Sequence, residues 1–452
     1  MGLKWYHKMH KDTLKLILNE FQEARFPRIV PRELKVPLDT DKAIAITGVR
    51  RCGKTFWLFG LAQQLVQSGV PKRHIGYVSF DDPRLVPADA LDLELLREAH
   101  FELAPKADDG HRYLLLDEVQ RVRNWELGVR RLLDTREFRL FVTGSSSQML
   151  SRDIATTLRG RGLSYELLPF SPREFLAARG IPLDHLTSFS RRRFEVIAAL
   201  EDYFNFGGFP EVVLEKEPNM RLRILREYLD TMFLRDIVER YRIRNLNAMR
   251  TLFRFLMTNI ATPFSVNAFS RWLKGTVPVI KRTVINYLNR LEETGLVFLV
   301  RKFSHSLKET ALRPRKVYVV DPGLRAVHGL TFSQDRGRVL ENLVLLELRR
   351  QEAVFPLLGI YYWQNGKGQE VDFVITDAGK PKALIQVCAD PQAFGVWERE
   401  LAPLGLAMEK FSLRKSTVIT ADYEGEEKLP SGLVQFVPFW KWALTFDWER
   451  RV

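Results

Sequence analysis

The sequence predicts an α/β protein that begins with a parallel β-sheet covered by helices on both faces. Three observations predict it. Four short apolar runs alternate with segments of helical length before residue 145, a glycine-rich loop follows the first run, and the third run ends in an acidic pair. Strands separated by helices of this length pair in parallel, because each crossover helix carries the chain back to the start of the next strand.

A helix is expected over 11–24, after which Pro27, Pro31 and Pro37 break the chain before the sheet begins. Ala43-Ile44-Ala45-Ile46-Thr47 reads as a fully buried first strand, with a helix reaching about Gln67 beyond the loop. Residues 75–80, 113–117 and 139–143 read as the next strands, and 91–103 and 124–134 as the helices that separate them. From Pro172 to Arg244 the pattern is almost purely helical, which fits a small lid. Residues 245–303 give three helices and then strands, and 338–440 return to mixed α and β.

With 452 residues and 46% hydrophobic content, the chain has material for several domains. Its formal net charge is +14, and residues 245–320 hold 13 Lys/Arg against 3 Asp/Glu, so most of the excess sits in one stretch. A concentrated basic stretch is the usual electrostatic footprint of nucleic-acid binding. Cys52 and Cys388 are far apart and are the only two cysteines, and the eight histidines show no HxxxH spacing, which excludes a disulfide framework and a structural zinc site. There is no apolar run of about 18 residues. The first residues lack the apolar core of an export signal, so a cytoplasmic location without membrane contact is expected.

Gly48-Val49-Arg50-Arg51-Cys52-Gly53-Lys54-Thr55 fits GxxxxGK[ST] between a strand and a helix. The glycines let the backbone wrap round phosphates, and the N–H groups at the helix start point at the anion. ATP and Mg²⁺ are therefore the expected cofactors, with Lys54 on the β- and γ-phosphates and Thr55 on the metal. Asp117 and Glu118 close the third strand; Asp117 would hold Mg²⁺ through water, and Glu118 would act as general base for the attacking water. After the fourth strand, Thr143 or Ser145 could orient that water, and a helix-capping serine is the other reading. Arg161, in Arg159-Gly160-Arg161, could stabilise the γ-phosphate transition state in cis or from a neighbouring subunit of a homo-oligomer.

These motifs resemble a known family, the prokaryotic AAA+ ATPases that carry the C-terminal domain of unknown function 4143. Besides the phosphate loop, the resemblance rests on Leu115-Leu116-Asp117-Glu118-Val119-Gln120, Thr143-Gly144-Ser145-Ser146 and Arg159-Gly160-Arg161. It also rests on Pro169-Phe170-Ser171-Pro172-Arg173-Glu174-Phe175, Gly207-Gly208-Phe209-Pro210-Glu211-Val212 and Gly368-Gln369-Glu370-Val371-Asp372-Phe373. It implies a P-loop AAA+ domain over 1–168, a helical lid over 169–244, a winged helix-turn-helix over 245–325 and a nuclease-like α/β domain over 326–452.

In the basic segment, helices are expected over 247–259, 265–275 and 278–295. Ile280, Val284, Leu288 and Leu291 form an apolar stripe on the third, with Arg282, Asn286 and Asn289 on the opposite face. Residues 296–300 and 316–320 read as a hairpin. Lys281, Arg282, Asn286, Asn289, Arg301 and Lys302 are the candidate contacts to double-stranded DNA; such modules also serve as protein contacts. Residues 338–390 resemble the PD-(D/E)xK nuclease core, whose carboxylates hold Mg²⁺ and whose lysine polarises water. Glu341 on a helix, Glu370 and Asp372 two apart on a strand, and Gln386 on the next strand match that pattern. Cys388 stands where a lysine belongs, and Lys382 is poorly spaced to replace it, so cleavage is not expected. The leading expectation is a DNA-binding ATPase that changes conformation with nucleotide state. An ATP-switched regulator of a protein partner and an ATP-dependent nuclease are the alternatives.

Overall fold

The computed structural model describes residues 2–105, 111–144, 158, 160–183, 191–273, 279–304, 306, 309–310, 313–327, 336–393, 395–446 and 448. They form two compact units, one running to residue 167 together with 293–295, the other comprising 168–292 and 296–452.

In the first unit β1 (Ala43–Thr47), β2 (Ile75–Ser79), β3 (Arg112–Asp117), β4 (Phe138–Gly144) and β5 (Gly162–Glu166) make one sheet in the order β2-β3-β4-β1-β5. Every neighbouring pair is parallel. β1, β3 and β4 are buried at every position, as parallel strands covered on both faces must be. The first four strands fall within a residue or two of the expected runs. β5 was not among them: Gly162-Leu163-Ser164-Tyr165-Glu166 has no apolar run, because an edge strand is only half-buried. Among the described residues, four helices pack on the sheet, α1 (Gly2–Glu23), α2 (Lys54–Gln67), α3 (Ala90–Leu103) and α4 (Trp125–Thr135). Leu14 and Leu18 of α1 and Leu93 and Leu96 of α3 meet Leu114 and Leu116 of β3 in one core. Each such leucine contributes about 1.5–3 kcal/mol of burial.

The second unit begins with α5 (Pro172–Ala178), α6 (Arg192–Phe206), α7 (Pro210–Leu214), α8 (Pro218–Thr231) and a π-helical turn, Met232–Glu239. The Ser171-Pro172-Arg173-Glu174 motif is a capping box. Ser171 Oγ accepts the Glu174 N–H at 3.1 Å, and the Glu174 carboxylate accepts the Ser171 N–H at 2.9 Å. The Gly207-Gly208 pair makes room for a buried carboxylate. Asp321 accepts the N–H of Gly208 at 2.6 Å and of Gly323 at 2.8 Å. A Cβ on Gly207, whose φ is +75°, would stand 1.7 Å from Asp321 Oδ1.

The basic segment folds as α9 (Leu246–Thr258), β6 (Thr262–Phe264), α10 (Val266–Leu273), α11 (Lys281–Glu293) and an antiparallel hairpin of β7 (Val297–Lys302) and β8 (Arg315–Val319). The stripe expected on α11 is corrected at one position. Val284, Leu288 and Leu291 are buried with Tyr287, but Ile280 is 69% exposed, since it precedes the helix instead of lying on its inner face.

After α12 (Gly323–Ala326) comes α13 (Arg336–Val354). Its Leu340, Leu343, Val344, Leu345, Leu346 and Leu348 are all buried, and so are Glu341, Asn342 and Glu347, so the middle of the helix is enclosed on every side. Strands β9 (Leu358–Gln364), β10 (Glu370–Asp377), β11 (Lys380–Val387), β12 (Lys415–Thr420), β13 (Gly425–Leu429) and β14 (Gly432–Pro438) follow, with α14 (Val396–Phe411) and α15 (Phe439–Thr445). The hairpin does not stand apart from these strands. β7 pairs in parallel with β9, Arg301 opposite Tyr361 and Lys302 opposite Tyr362. One nine-stranded sheet therefore runs β13-β14-β12-β11-β10-β9-β7-β8-β6.

Candidate functional site

The phosphate loop is built by β1 stopping against β5. Gly48 has φ +149°, and a Cβ there would meet the Leu167 carbonyl oxygen at 2.3 Å, so the loop begins where only glycine fits. Arg51 and Gly53 take left-handed backbone, at φ +69° and +101°, before α2 starts at Lys54. Turns of this kind aim successive N–H groups into one concavity. Arg32, from the proline-broken entry segment, donates to the Cys52 carbonyl at 3.0 Å and braces the loop. Cys52 itself is fully buried, and burial pushes its thiol up, away from the reactive thiolate. The Lys54 ammonium is buried and donates to the carbonyls of Gly48 at 3.1 Å and Val49 at 3.0 Å.

β4 lies between β1 and β3, so its end sits beside both the loop and the acidic pair. Asp117 is 2% exposed and gathers three hydroxyls. Thr55 Oγ1 donates to its Oδ2 at 2.7 Å, Tyr77 Oη to the same oxygen at 3.1 Å, and Thr143 Oγ1 to its Oδ1. Thr143 also accepts the Glu118 N–H at 2.9 Å. Its one hydroxyl proton is thus directed at Asp117 while its oxygen accepts from Glu118. Glu118 is half-buried at φ +53°, a left-handed backbone that costs about 1–2 kcal/mol in a non-glycine residue. Gln120 donates to its carboxylate. Tyr77 and Arg32 escaped the sequence reading. Tyr77 follows no motif, and its phenol is held well above the usual range by burial and then by Asp117. Thr55 and Asp117 offer hard oxygen donors side by side, which suits Mg²⁺.

Comparison with known proteins shows the family. A family model described as an AAA domain matches residues 40–176, and two described as domains of unknown function 8612 and 4143 match 197–335 and 336–395. An uncharacterized protein of Methanocaldococcus jannaschii is 37% identical over 438 residues, covering 95% of each chain. The chain belongs to this AAA-domain family with a C-terminal 4143 domain. An uncharacterized protein of Haemophilus influenzae is 29% identical over 75% of this chain and 81% of its own. The Walker-type ATPase PABY2304 of Pyrococcus abyssi aligns at a TM-score of 0.42 and 13% identity, over 71% of this chain and 95% of that one.

Within the family fold the remaining candidate residues fall in different places. Ser145 lies outside the described residues. Arg161 stands just before β5, whose Gly162 pairs with Ala43 at the start of β1, and its guanidinium meets Asp134. The phosphate loop leaves the other end of β1, five residues and about 16 Å away. This placement does not bring Arg161 to its own phosphate loop. Lys281, Arg282, Asn286, Asn289 and Arg301 are exposed. Lys302 is not available as a surface contact. It is buried and pairs with Glu309 at 3.1 Å, because alternation along β7 turns it to the face opposite the exposed Arg301.

Glu341, Glu370 and Asp372 do converge, but on a residue that the sequence reading left in the hairpin. The Lys316 ammonium lies 2.6 Å from Glu341, 2.8 Å from Glu370 and 2.9 Å from Asp372. Burial alone would lower the Lys316 pKa, but Asp372 and Glu341 hold it well above the ordinary value. Gln386 accepts the Asp372 N–H at 3.1 Å and donates to Glu400 at 2.6 Å. Cys388 packs with Trp363, Val371, Leu401 and Leu404 as a small apolar side chain, its thiol pushed up to about 12 by burial. A signal for Lys316 existed: a lysine opens the run Lys316-Val317-Tyr318-Val319-Val320, and an interior strand tolerates a buried charge only if it is paired.

Proposed function

We propose that this protein hydrolyses ATP and couples nucleotide state to a DNA contact. The observation that carries the hydrolysis is the single network joining Thr55, Asp117, Thr143 and Glu118. In this reading Lys54 turns from the loop carbonyls to the β- and γ-phosphates, and loop N–H groups hold the remaining phosphate oxygens. Thr55 and Asp117 would hold Mg²⁺, which would supply charge neutralisation at the phosphates. Glu118 takes a proton from the attacking water, and Thr143 or Ser145 keeps the acidic pair and water aligned. Arg161 acts from a neighbouring copy in a homo-oligomer, consistent with its distance from its own loop.

The DNA contact is assigned to Lys281, Arg282, Asn286 and Asn289 on the open face of α11, with Arg301. A second reading has its own observation. Trp272, on α10, is 57% exposed and Ile280, just before α11, is 69% exposed, which favours a protein partner for this segment. ATP turnover with and without double-stranded DNA, across a salt series, separates the two. DNA stimulation that fades with salt supports the DNA contact. Turnover indifferent to DNA supports the protein partner. Absence of turnover in wild type, or turnover unchanged in Lys54→Ala, removes the ATPase reading itself.

A further inference from the structure

We propose that the acidic cluster of the C-terminal segment carries its own cation. The Lys316 ammonium stands where the nuclease-like resemblance calls for Mg²⁺, and the cluster is a joint between β8, α13 and β10 instead of a metal site. Its role is independent of the ATPase and DNA readings.

The stoichiometry matches. An ammonium has three N–H donors, and Lys316 has three carboxylates at 2.6, 2.8 and 2.9 Å. Those oxygens surround one point. A Mg²⁺ held by them would sit about 2.0–2.1 Å from each, in the space Nζ occupies, so the two are mutually exclusive. A lysine that polarises water must instead stand beside the metal, outside its ligand cage.

The three carboxylates have further partners. Glu341 Oε1 also accepts the Tyr318 hydroxyl at 2.6 Å, Asp372 Oδ2 accepts the Val387 N–H at 2.9 Å, and Glu370 Oε2 accepts from the Gln364 amide at 3.3 Å. Lys316 is 1% exposed, Asp372 6% and Glu341 8%. Among the described residues no group of three or more His, Cys, Asp or Glu is arranged to hold a metal.

The same strand is tied to the same helix a second time. Asn342, next to Glu341 on α13, accepts the Val319 N–H at 2.8 Å and donates to the Val319 carbonyl at 2.9 Å. Lys316, Tyr318 and Val319 of β8 are thus all bound by consecutive residues of α13. The expected lysine position holds the apolar Cys388, and the cation has come from a different strand.

Mn²⁺ binding to the full-length protein without nucleotide, followed by electron paramagnetic resonance, tests this. Wild type, Glu370→Gln and Asp372→Asn are expected to bind the same number of Mn²⁺ ions. A site present in wild type and absent in Asp372→Asn would overturn the proposal. Lys316→Met leaves three carboxylates without their cation. It is expected to melt roughly 10 °C lower, to gain one Mn²⁺ site, and to recover part of the stability with Mn²⁺ while wild type gains nothing from the ion. A folded Lys316→Met that gains no site would also sink the exchange of ammonium for metal. If that variant does not fold, the wild-type and Asp372→Asn comparison decides alone.

Discussion

Lys54 and Lys316 are both almost fully buried, yet the chain treats their charges in opposite ways. Among the described residues, Lys54 meets the carbonyls of Gly48 and Val49, which are neutral. Lys316 meets three carboxylates. A phosphate offered to Lys54 replaces neutral acceptors with charged ones, roughly doubling the strength of each hydrogen bond. A ligand offered to Lys316 would have to replace partners that are already charged and already fit. The residue type is the same, and what differs is whether the fold has left the cation something better to bind.

The largest expected effect tests the first half of that contrast. Lys54→Ala should lose both ATP affinity and turnover, while Glu118→Gln should keep ATP binding and lose turnover by about 10²–10⁴-fold. Phosphate release and equilibrium nucleotide binding separate the two. A Glu118→Gln enzyme within twofold of wild type would take the general-base assignment away. The second half is tested within one hairpin. Lys316→Met should cost about 3–5 kcal/mol in urea unfolding, because it strands buried carboxylates. Lys302→Met breaks a pair whose partner Glu309 is 39% exposed and should cost about 1 kcal/mol or less. Equal losses would show that the triad is not special.

How much of this was legible follows the same division. The phosphate loop, Asp117 and Glu118 could be read directly, since a contiguous motif and an adjacent pair carry their own geometry. So could four of the five parallel strands, because full burial writes an unbroken apolar run. β5 was hidden, as a half-buried edge needs no such run. Lys316 was hidden for another reason. Its partners lie 25 to 56 positions away, and they meet it only once the hairpin has joined the large sheet through the pairing of β7 with β9 and packed on α13. Arg161 illustrates a third limit, for its motif was visible but not the end of the sheet on which parallel pairing would put it.

Asp321 extends the comparison to a buried carboxylate held by backbone N–H groups. Burial lifts its pKa from 3.8 to about 7, and the Gly208 and Gly323 N–H groups offset only part of that. The folded state therefore keeps a proton that the unfolded chain has released. Its contribution to stability is complete below about pH 4 and disappears as pH rises to about 7. The loss is on the order of 4 kcal/mol. Asp321→Asn should flatten this segment of the stability profile, seen by urea unfolding at several pH values. An unchanged slope would place the ionised carboxylate in the folded state throughout.

The smallest effect concerns the exposed basic face, and the burial seen there revises the charge count that first suggested DNA. The stretch 245–320 owes its excess partly to Lys316 and Lys302, which are buried and paired. The charge available to a phosphate backbone is correspondingly smaller than the sequence count. For every phosphate that the protein ceases to neutralise, the slope of log affinity against log salt falls by about one. Arg282→Ala should therefore reduce that slope by about one and weaken binding at low salt, with little change in ATP turnover in the absence of DNA. Lys302→Ala should leave the slope unchanged, because its ammonium already belongs to Glu309. If Lys302→Ala lowers the slope as much as Arg282→Ala does, the hairpin must release Lys302 when DNA binds, and the exposed face would then include residues that the described structure keeps inside.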